Sequence, residues 1–332
     1  MGIKETGHLY EKMNEKKILV EMAPMEGITT ATFRRVYSRW FTGIDRMYTP
    51  FLVANQTHKF KKREKREIEE YCPGLVPQIL TDRAEHFIWA AAELKKTGYT
   101  EVNLNAGCPS STVTTKKKGA GMLLDLSALR SFLDEVSAAR ETMDMPEVSV
   151  KTRAGFSSYD EADDIARLYA EYPLAAIIVH PRIRDDFYDK TPDLNAFGVF
   201  YEHIDHEKLV FNGDLRSFGD SGKILDSFPG IRGIMTGRGL LADPFLPERI
   251  KKHENLGKDG FSDREKEILS GFLDELFDEY EHDLSEGTAL LKMKDLWNFM
   301  AASFPEQEKK LKAVRKARSG WEYKAAVKRL LT

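Results

Sequence analysis

A single cysteine, Cys108, stands in Asn103-Leu-Asn-Ala-Gly-Cys-Pro109, where an apolar strand-like run stops and a Gly-Cys-Pro turn begins. In α/β barrels the strand ends carry the chemistry. A thiol there can act as nucleophile, metal ligand or proton donor, or serve as a small core residue. Other polar residues end neighbouring strand-like runs: Gln78, Asn105, Lys151 in Val-Lys-Thr-Arg-Ala-Gly155, and His180 in Ile-Ile-Val-His-Pro-Arg182. Two glycine turns follow the last two runs, Phe211-Asn-Gly-Asp-Leu215 and Gly233-Ile-Met-Thr-Gly-Arg-Gly239. Glycine lets backbone N–H groups approach an anion, and barrels often bind phosphate after their last two strands. Arg238 adds a charge-assisted contact. A phosphate site implies a nucleotide cofactor, and amide, ammonium and imidazole groups match the pyrimidine edge of a flavin ring. In Met22-Ala-Pro-Met-Glu-Gly27, Pro24 stiffens a turn against which a flat ring can rest, with Met25 as soft apolar packing.

These residues meet only if their strands lie side by side. Strand-like runs recur at Ile18–Ala23, Ile44–Thr49, Leu75–Leu80, Glu101–Asn105, Glu147–Lys151, Ala175–His180, Lys208–Phe211 and Ile231–Met235. Amphipathic stretches lie between them, including Asp82–Lys96, Leu126–Met143 and Tyr159–Glu171. About eight strands alternating with helices predict a (β/α)8 TIM barrel, with an open doubly wound sheet as the rival. The strand pattern ends near Asp243-Pro244. A polar linker follows (Lys251–Gly260), then about four helices with no strand-like run. The expected division is a barrel over 1–250 and a small helical domain over 251–332. The mixed-charge run starting at Lys59 reads as a solvated helix or loop.

The bulk composition narrows the classes further. The chain has 332 residues, 42% of them hydrophobic, and a formal net charge of −3, so the whole molecule does not advertise a polyanionic partner. The last stretch, Glu308 to Thr332, is locally basic and includes Lys316 and Arg318. Two cysteines, Cys72 and Cys108, exclude a disulfide scaffold and a zinc site of four thiolates. Nothing accompanies Cys72, which reads as structural. With no signal-peptide core and no membrane-length apolar run, the expectation is a cytoplasmic, monomeric protein without a metal.

The set as a whole resembles the tRNA-dihydrouridine synthase family. The resemblance rests on Ala23–Thr29, Pro77–Leu80, Asn103–Pro109, Lys151–Phe156, Val179–Arg182, Asn212–Asp214 and Met235–Gly239, in the family's order. It implies an FMN-dependent enzyme that reduces the carbon 5–carbon 6 double bond of uridines in tRNA, with NADPH (or NADH) as reductant. Pro24, Met25, Gln78, Lys151 and His180 would contact the flavin ring. Asn212, Gly213, Asp214, Gly237 and Arg238 would surround its phosphate. Asn105 would sit between flavin and uracil, and Arg182 near the substrate. Cys108 would donate a proton to uracil carbon 5. A flipped-out uridine requires that the surrounding tRNA be held, which the resemblance assigns to the helical part, with Lys316 and Arg318 at the RNA. Trp297–Met300 through Arg315–Arg318 resembles the bacterial subgroup acting on position 16 of the D-loop. The segment Phe187–Asp193 departs from the family pattern. Two alternatives stand beside this reading. One is an FMN barrel acting on a small pyrimidine or enone, similar to dihydroorotate dehydrogenase, for which a basic tail has no use. The other is an RNA-binding relative without turnover, against which an intact Cys108, Lys151 and His180 argue.

Overall fold

The computed structural model describes residues 18–69, 74–258 and 260–332, so Cys72 lies outside the described residues. The strands are β1 (Leu19–Met22), β2 (Arg46–Tyr48), β3 (Leu52–Val53), β4 (Leu75–Val76), β5 (Gln78–Leu80), β6 (Glu101–Ala106), β7 (Glu147–Gly155), β8 (Ile177–Ile183), β9 (Leu209–Asn212) and β10 (Gly233–Thr236). All pair in parallel, in the order β3-β5-β6-β7-β8-β9-β10-β1-β2-β4. The order closes on itself, because Pro77 joins β4 at one end to β5 beside the other. β4 and β5 are halves of one strand, broken where proline offers no N–H, and they pair with β2 and β3 respectively. The result is a closed ring of eight strand positions, a (β/α)8 barrel. The expected third strand is thus split in two, the second gains an unexpected continuation in β3, and β7 and β8 run past their expected ends to Gly155 and Ile183.

Successive residues of a strand face opposite sides. Val102, Leu104 and Ala106 on β6, Val148, Val150 and Ala154 on β7, and Ile177 and Val179 on β8 join the apolar layer beneath the outer helices. The alternate residues face the barrel interior and reach its C-terminal mouth as Asn105, Lys151, Arg153, His180 and Arg182. This parity is what converges the site.

The helices are α1 (Ala31–Trp40), α2 (Lys62–Arg66), α3 (Ala84–Lys96), α4 (Ser111–Thr114), α5 (Leu126–Thr142), α6 (Glu161–Ala170), α7 (Leu194–His203), α8 (Phe218–Ser227), α9 (Arg238–Ala242), α10 (Leu246–Lys252), α11 (Asp263–Asp283), α12 (Glu286–Met300), α13 (Glu308–Lys316) and α14 (Gly320–Leu331). The mixed-charge run is not simply solvated. Glu64 of α2 is 2% exposed and accepts from the backbone N–H of Lys61 at 2.7 Å and of Val53 at 3.4 Å. Its inward turn ties the loop beside the barrel mouth.

The position 250/251 falls inside α10. Beyond it, α11 starts at a Ser262–Glu265 capping box, and Ser285 and Ser319 cap α12 and α14. The four C-terminal helices share one apolar cluster with Phe33, Val36, Tyr37 and Phe41 around α1, and with Leu240, Leu241 and Phe245 around α9. Charge reinforces the contact: Arg35 and Arg39 of α1 pair with Glu275, Glu279 and Asp283 of α11. Among the described residues no helix is long and apolar enough to cross a membrane.

Candidate active site

At the C-terminal mouth lie two adjoining cavities, of about 200 and 320 Å³, which share Pro24, Met25, Lys151, His180 and Tyr188 as walls. Gln78, Asn105 and Cys108 line the first. Asn212, Gly213, Asp214, Gly237 and Arg238 line the second. Every residue expected to hold a cofactor therefore borders this one space, and Cys108 borders it too.

The floor is set by a buried amide chain. Asn105 Nδ2 donates to Gln78 Oε1 at 2.8 Å, Gln78 Nε2 donates to Asn103 Oδ1 at 2.8 Å, and Asn103 Nδ2 donates to Ser149 Oγ at 2.9 Å. Asn105 Oδ1 accepts the backbone N–H of Gly107 at 3.2 Å and of Cys108 at 3.0 Å. Asn105 thus shapes the thiol turn from below. Gly119 closes the turn from the other side at φ +57°, where a Cβ would lie 2.9 Å from Cys108 Cβ and 2.8 Å from its carbonyl oxygen. Only glycine meets both demands there.

Arg153 binds the turn to the loop after β8. It is 1% exposed, and it donates to the carbonyls of Gly107 at 3.1 Å, Ile183 at 2.7 Å and Phe187 at 2.8 Å. Arg184 repeats the tie, donating to Pro109 O at 3.2 Å and Thr114 Oγ1 at 3.3 Å. The tie brings Tyr188 over the cavity, with its ring 5.3 Å from the Arg153 guanidinium and 4.8 Å from that of Arg238.

The electrostatics are cationic. Cys108 is partly exposed. Burial pushes its thiol up, and the Ser110 N–H, Arg153 and Lys151 offset this only in part, so the thiol is protonated at neutral pH. Burial, reinforced by Arg153, pushes Lys151 down to about 7. No described residue accepts a hydrogen bond from its Nζ. His180 is 8% exposed. Burial, then Lys151, Arg153, Arg182 and Arg238, hold it well below the ordinary imidazole range, so it is neutral. Asp214 carries the negative charge nearby. Burial would raise its carboxyl, yet Arg182 and Arg238 hold it below the usual range.

Arg182 lines neither cavity; it is 1% exposed and sits against His180 and Asp214. Lys316 and Arg318 are exposed at the end of α13, away from the cavity walls. The sequence reading did not mark Asn103, Ser149, Arg153, Phe51 or Phe299 as site residues. Phe299, on α12, lines the second cavity, so the helical part supplies a wall as well as surface. The period-two parity of Asn103 with Asn105, and of Arg153 with Lys151, was the available signal for two of them.

The dihydrouridine synthase (Dus) family model matches residues 21–330. A "Probable tRNA-dihydrouridine synthase" of Staphylococcus aureus (strain Mu50 / ATCC 700699) is 29% identical over 244 residues, covering 69% of this chain and 70% of its own. A "Probable tRNA-dihydrouridine synthase 2" of Bacillus subtilis (strain 168) is 26% identical over 244 residues, covering 70% and 72%. Among solved structures, morphinone reductase in complex with tetrahydroNAD superposes with a TM-score of 0.50 at 14% identity, covering 72% of this chain and 87% of that one. A 2-naphthoyl-CoA reductase superposes with a TM-score of 0.53 at 12% identity, covering 71% and 50%. At such identities the likeness is of fold alone. The family match takes in both the barrel whose mouth holds Cys108 and the helices packed against it, and the chain belongs to the dihydrouridine synthase family.

Proposed function

We propose that this protein reduces uridines in tRNA to 5,6-dihydrouridine, with FMN at the barrel mouth and NADPH or NADH as electron source. The observation that carries the reading is the convergence of a protonated thiol, a lysine without an acceptor among the described residues and a neutral imidazole on one cavity, in a chain of this family. The residues present suit a flavin. Lys151 offers a cation to the acceptor-rich pyrimidine edge, and Pro24 and Met25 offer an apolar rest for the ring. Gln78 adds an amide contact, its orientation held by Asn103 and Asn105. In the second cavity Asn212 donates to Met235 O at 2.8 Å and so holds the two glycine turns together, where Gly213, Asp214, Gly237 and Arg238 would receive the phosphate.

When bound, FMN supplies the hydride for uracil carbon 6. The chain's own contribution is the proton. Cys108 gives its thiol proton to carbon 5, and burial, which pushes the thiol up, keeps that proton in place at neutral pH. The Asn105 and Gly119 contacts hold the sulfur in register, and the Arg153 tie keeps the turn from swinging out. The uridine must leave its stack to reach this depth, so the tRNA body is held outside the cavity. The basic helices α13 and α14, with Lys316 and Arg318, form that holding surface, and the protein acts as a cytoplasmic monomer without a metal.

Mapping dihydrouridine in tRNA from a strain lacking dihydrouridine synthases, with and without this gene, tests the reading. Restoration at one D-loop position, with position 16 expected, supports it; no restored dihydrouridine at any position refutes it.

A further inference from the structure

His180 and Arg182 are two residues apart on β8 and face the same way. His180 borders both cavities and Arg182 borders neither, so the imidazole stands between the guanidinium and the open space. Three described residues hold the guanidinium. Nε donates to Lys190 O at 2.6 Å, Nη2 to Asp214 Oδ2 at 2.5 Å, and Nη1 to Asp214 Oδ1 at 3.3 Å. Nη1 also lies 2.9 Å from His180 Nε2.

A guanidinium has donors and no acceptor. The 2.9 Å contact is a hydrogen bond only if Nε2 holds a lone pair, and a neutral imidazole with a bare Nε2 carries its proton on Nδ1. Protonating Nε2 would aim an N–H at an N–H. The surroundings add to that penalty. Lys151, Arg153 and Arg238 face the ring as cations, Tyr188 packs 5.9 Å away as an aromatic face, the Asp214 carboxylate is shared by Arg182 and Arg238, and Glu26 on the wall of the first cavity pairs with Arg63. Asp214 adopts φ +42°, a conformation uncommon for a non-glycine residue, and its two-arginine contact holds it there.

We infer that Arg182, anchored by Asp214, is a positioning residue that fixes His180 as the neutral Nδ1–H tautomer and so turns it into a hydrogen-bond donor toward the cavity. The tautomer follows from the contact geometry alone; its use, donation to an acceptor on the flavin edge, rests on the function proposed above. Arg182 then acts through His180, with Asp214 anchoring it from the edge of the second cavity. The Arg182–Lys190 bond also gives the non-family-like segment 187–193 a task, since it seats that loop against the guanidinium.

The test is ring-nitrogen NMR on the full-length, ligand-free protein labelled at histidine, recorded from pH 6 to 9, with His180 assigned from the H180Q variant. The expected pattern is one bare nitrogen coupled to both ring carbon-bound protons (Nε2) and one protonated nitrogen (Nδ1), unchanged across the range. In R182M, His180 should lose the fixed pattern and show a titration moved toward the ordinary imidazole range. In D214N the fixed pattern should loosen as Arg182 loses its anchor, with no titration appearing, because losing the carboxylate leaves the surroundings more cationic. A protonated Nε2 or an imidazolium at pH 7 in the wild-type protein overturns the assignment, as does an unchanged pattern in R182M; an unchanged pattern in D214N removes Asp214 from it. The wild-type spectrum decides the tautomer even if a variant fails to fold. Because neither flavin nor tRNA is present, failure here leaves the proposed function standing, and the reverse.

Discussion

Replacing Lys151 by arginine or methionine separates charge from pH at the cavity floor. Burial and Arg153 push the ammonium down to about 7, so at pH 7 about half of the free protein carries the charge and at pH 9 roughly one molecule in a hundred does. Pairing with an acceptor on FMN returns the group toward its ordinary value of ~10.4. Binding above pH 7 must therefore take up one proton. The dissociation constant of FMN should rise about tenfold per pH unit between 7 and 9, or about 1.4 kcal/mol per unit. The window is clear of other nearby titrations: His180 is held neutral, Cys108 is pushed up, and the cofactor's phosphate ionises near ~6. The assay is quenching of FMN fluorescence by apoprotein. In K151R, always charged, the slope should vanish; in K151M binding should be weaker and also flat, so that wild type and variant converge as pH rises. A flat wild-type profile, or the same slope in K151R, refutes the reasoning.

Other consequences concern the barrel core, the thiol turn and the RNA surface. Burial raises Glu21 to about 7, only partly offset by Arg46 and Arg232; among the described residues neither carboxylate oxygen has a hydrogen-bond partner, and Arg46 Nε stands 4.0 Å from Oε1. Below 4.5 the carboxyl is neutral in folded and unfolded chains alike; as pH rises to about 7 the unfolded chain releases a proton that the folded chain keeps, so stability falls, by about 3 kcal/mol in full. E21Q should thus melt higher than wild type at pH 8 in calorimetry, with the gap shrinking toward pH 5; no change in the gap with pH counts against this. G119A should disturb the Cys108 backbone and lower uridine turnover, and an unchanged rate rejects the close approach at that glycine. K316A and R318A should weaken tRNA binding and lower the slope of log affinity against log salt by about one each if each meets one phosphate, read by filter binding; an unaltered slope removes them from the interface.

Much of the site was legible because its signals are local. Alternation within Asn103–Asn105, Lys151–Arg153 and His180–Arg182 sets which residues face inward, and the Gly-rich turns mark where strands end. The barrel followed from counting such runs. What escaped depends on tertiary contacts. Pro77 splits a strand without ending its course, so a single run became β4 and β5. Glu64, inside a run of lysines and arginines, is buried because two backbone N–H groups await it. Arg153 gathers three carbonyls from two loops, a role no spacing reveals. The resemblance set Arg182 near the substrate; that Asp214, His180 and Lys190 also hold it is a matter of tertiary packing. Phe299 reaches the cavity only through packing of α12 on the barrel.

The central claim, that Cys108 supplies the proton in reduction of a tRNA uridine, is tested most directly by single-turnover kinetics on C108A. The flavin of the variant should be reduced by NADPH at the wild-type rate. On mixing with tRNA lacking dihydrouridine, wild type should reoxidise and form one dihydrouridine per flavin, whereas C108A should reoxidise at least a hundredfold (on the order of two decades) more slowly, the scale of a lost general acid. Equal rates of dihydrouridine formation by the two proteins would contradict the account.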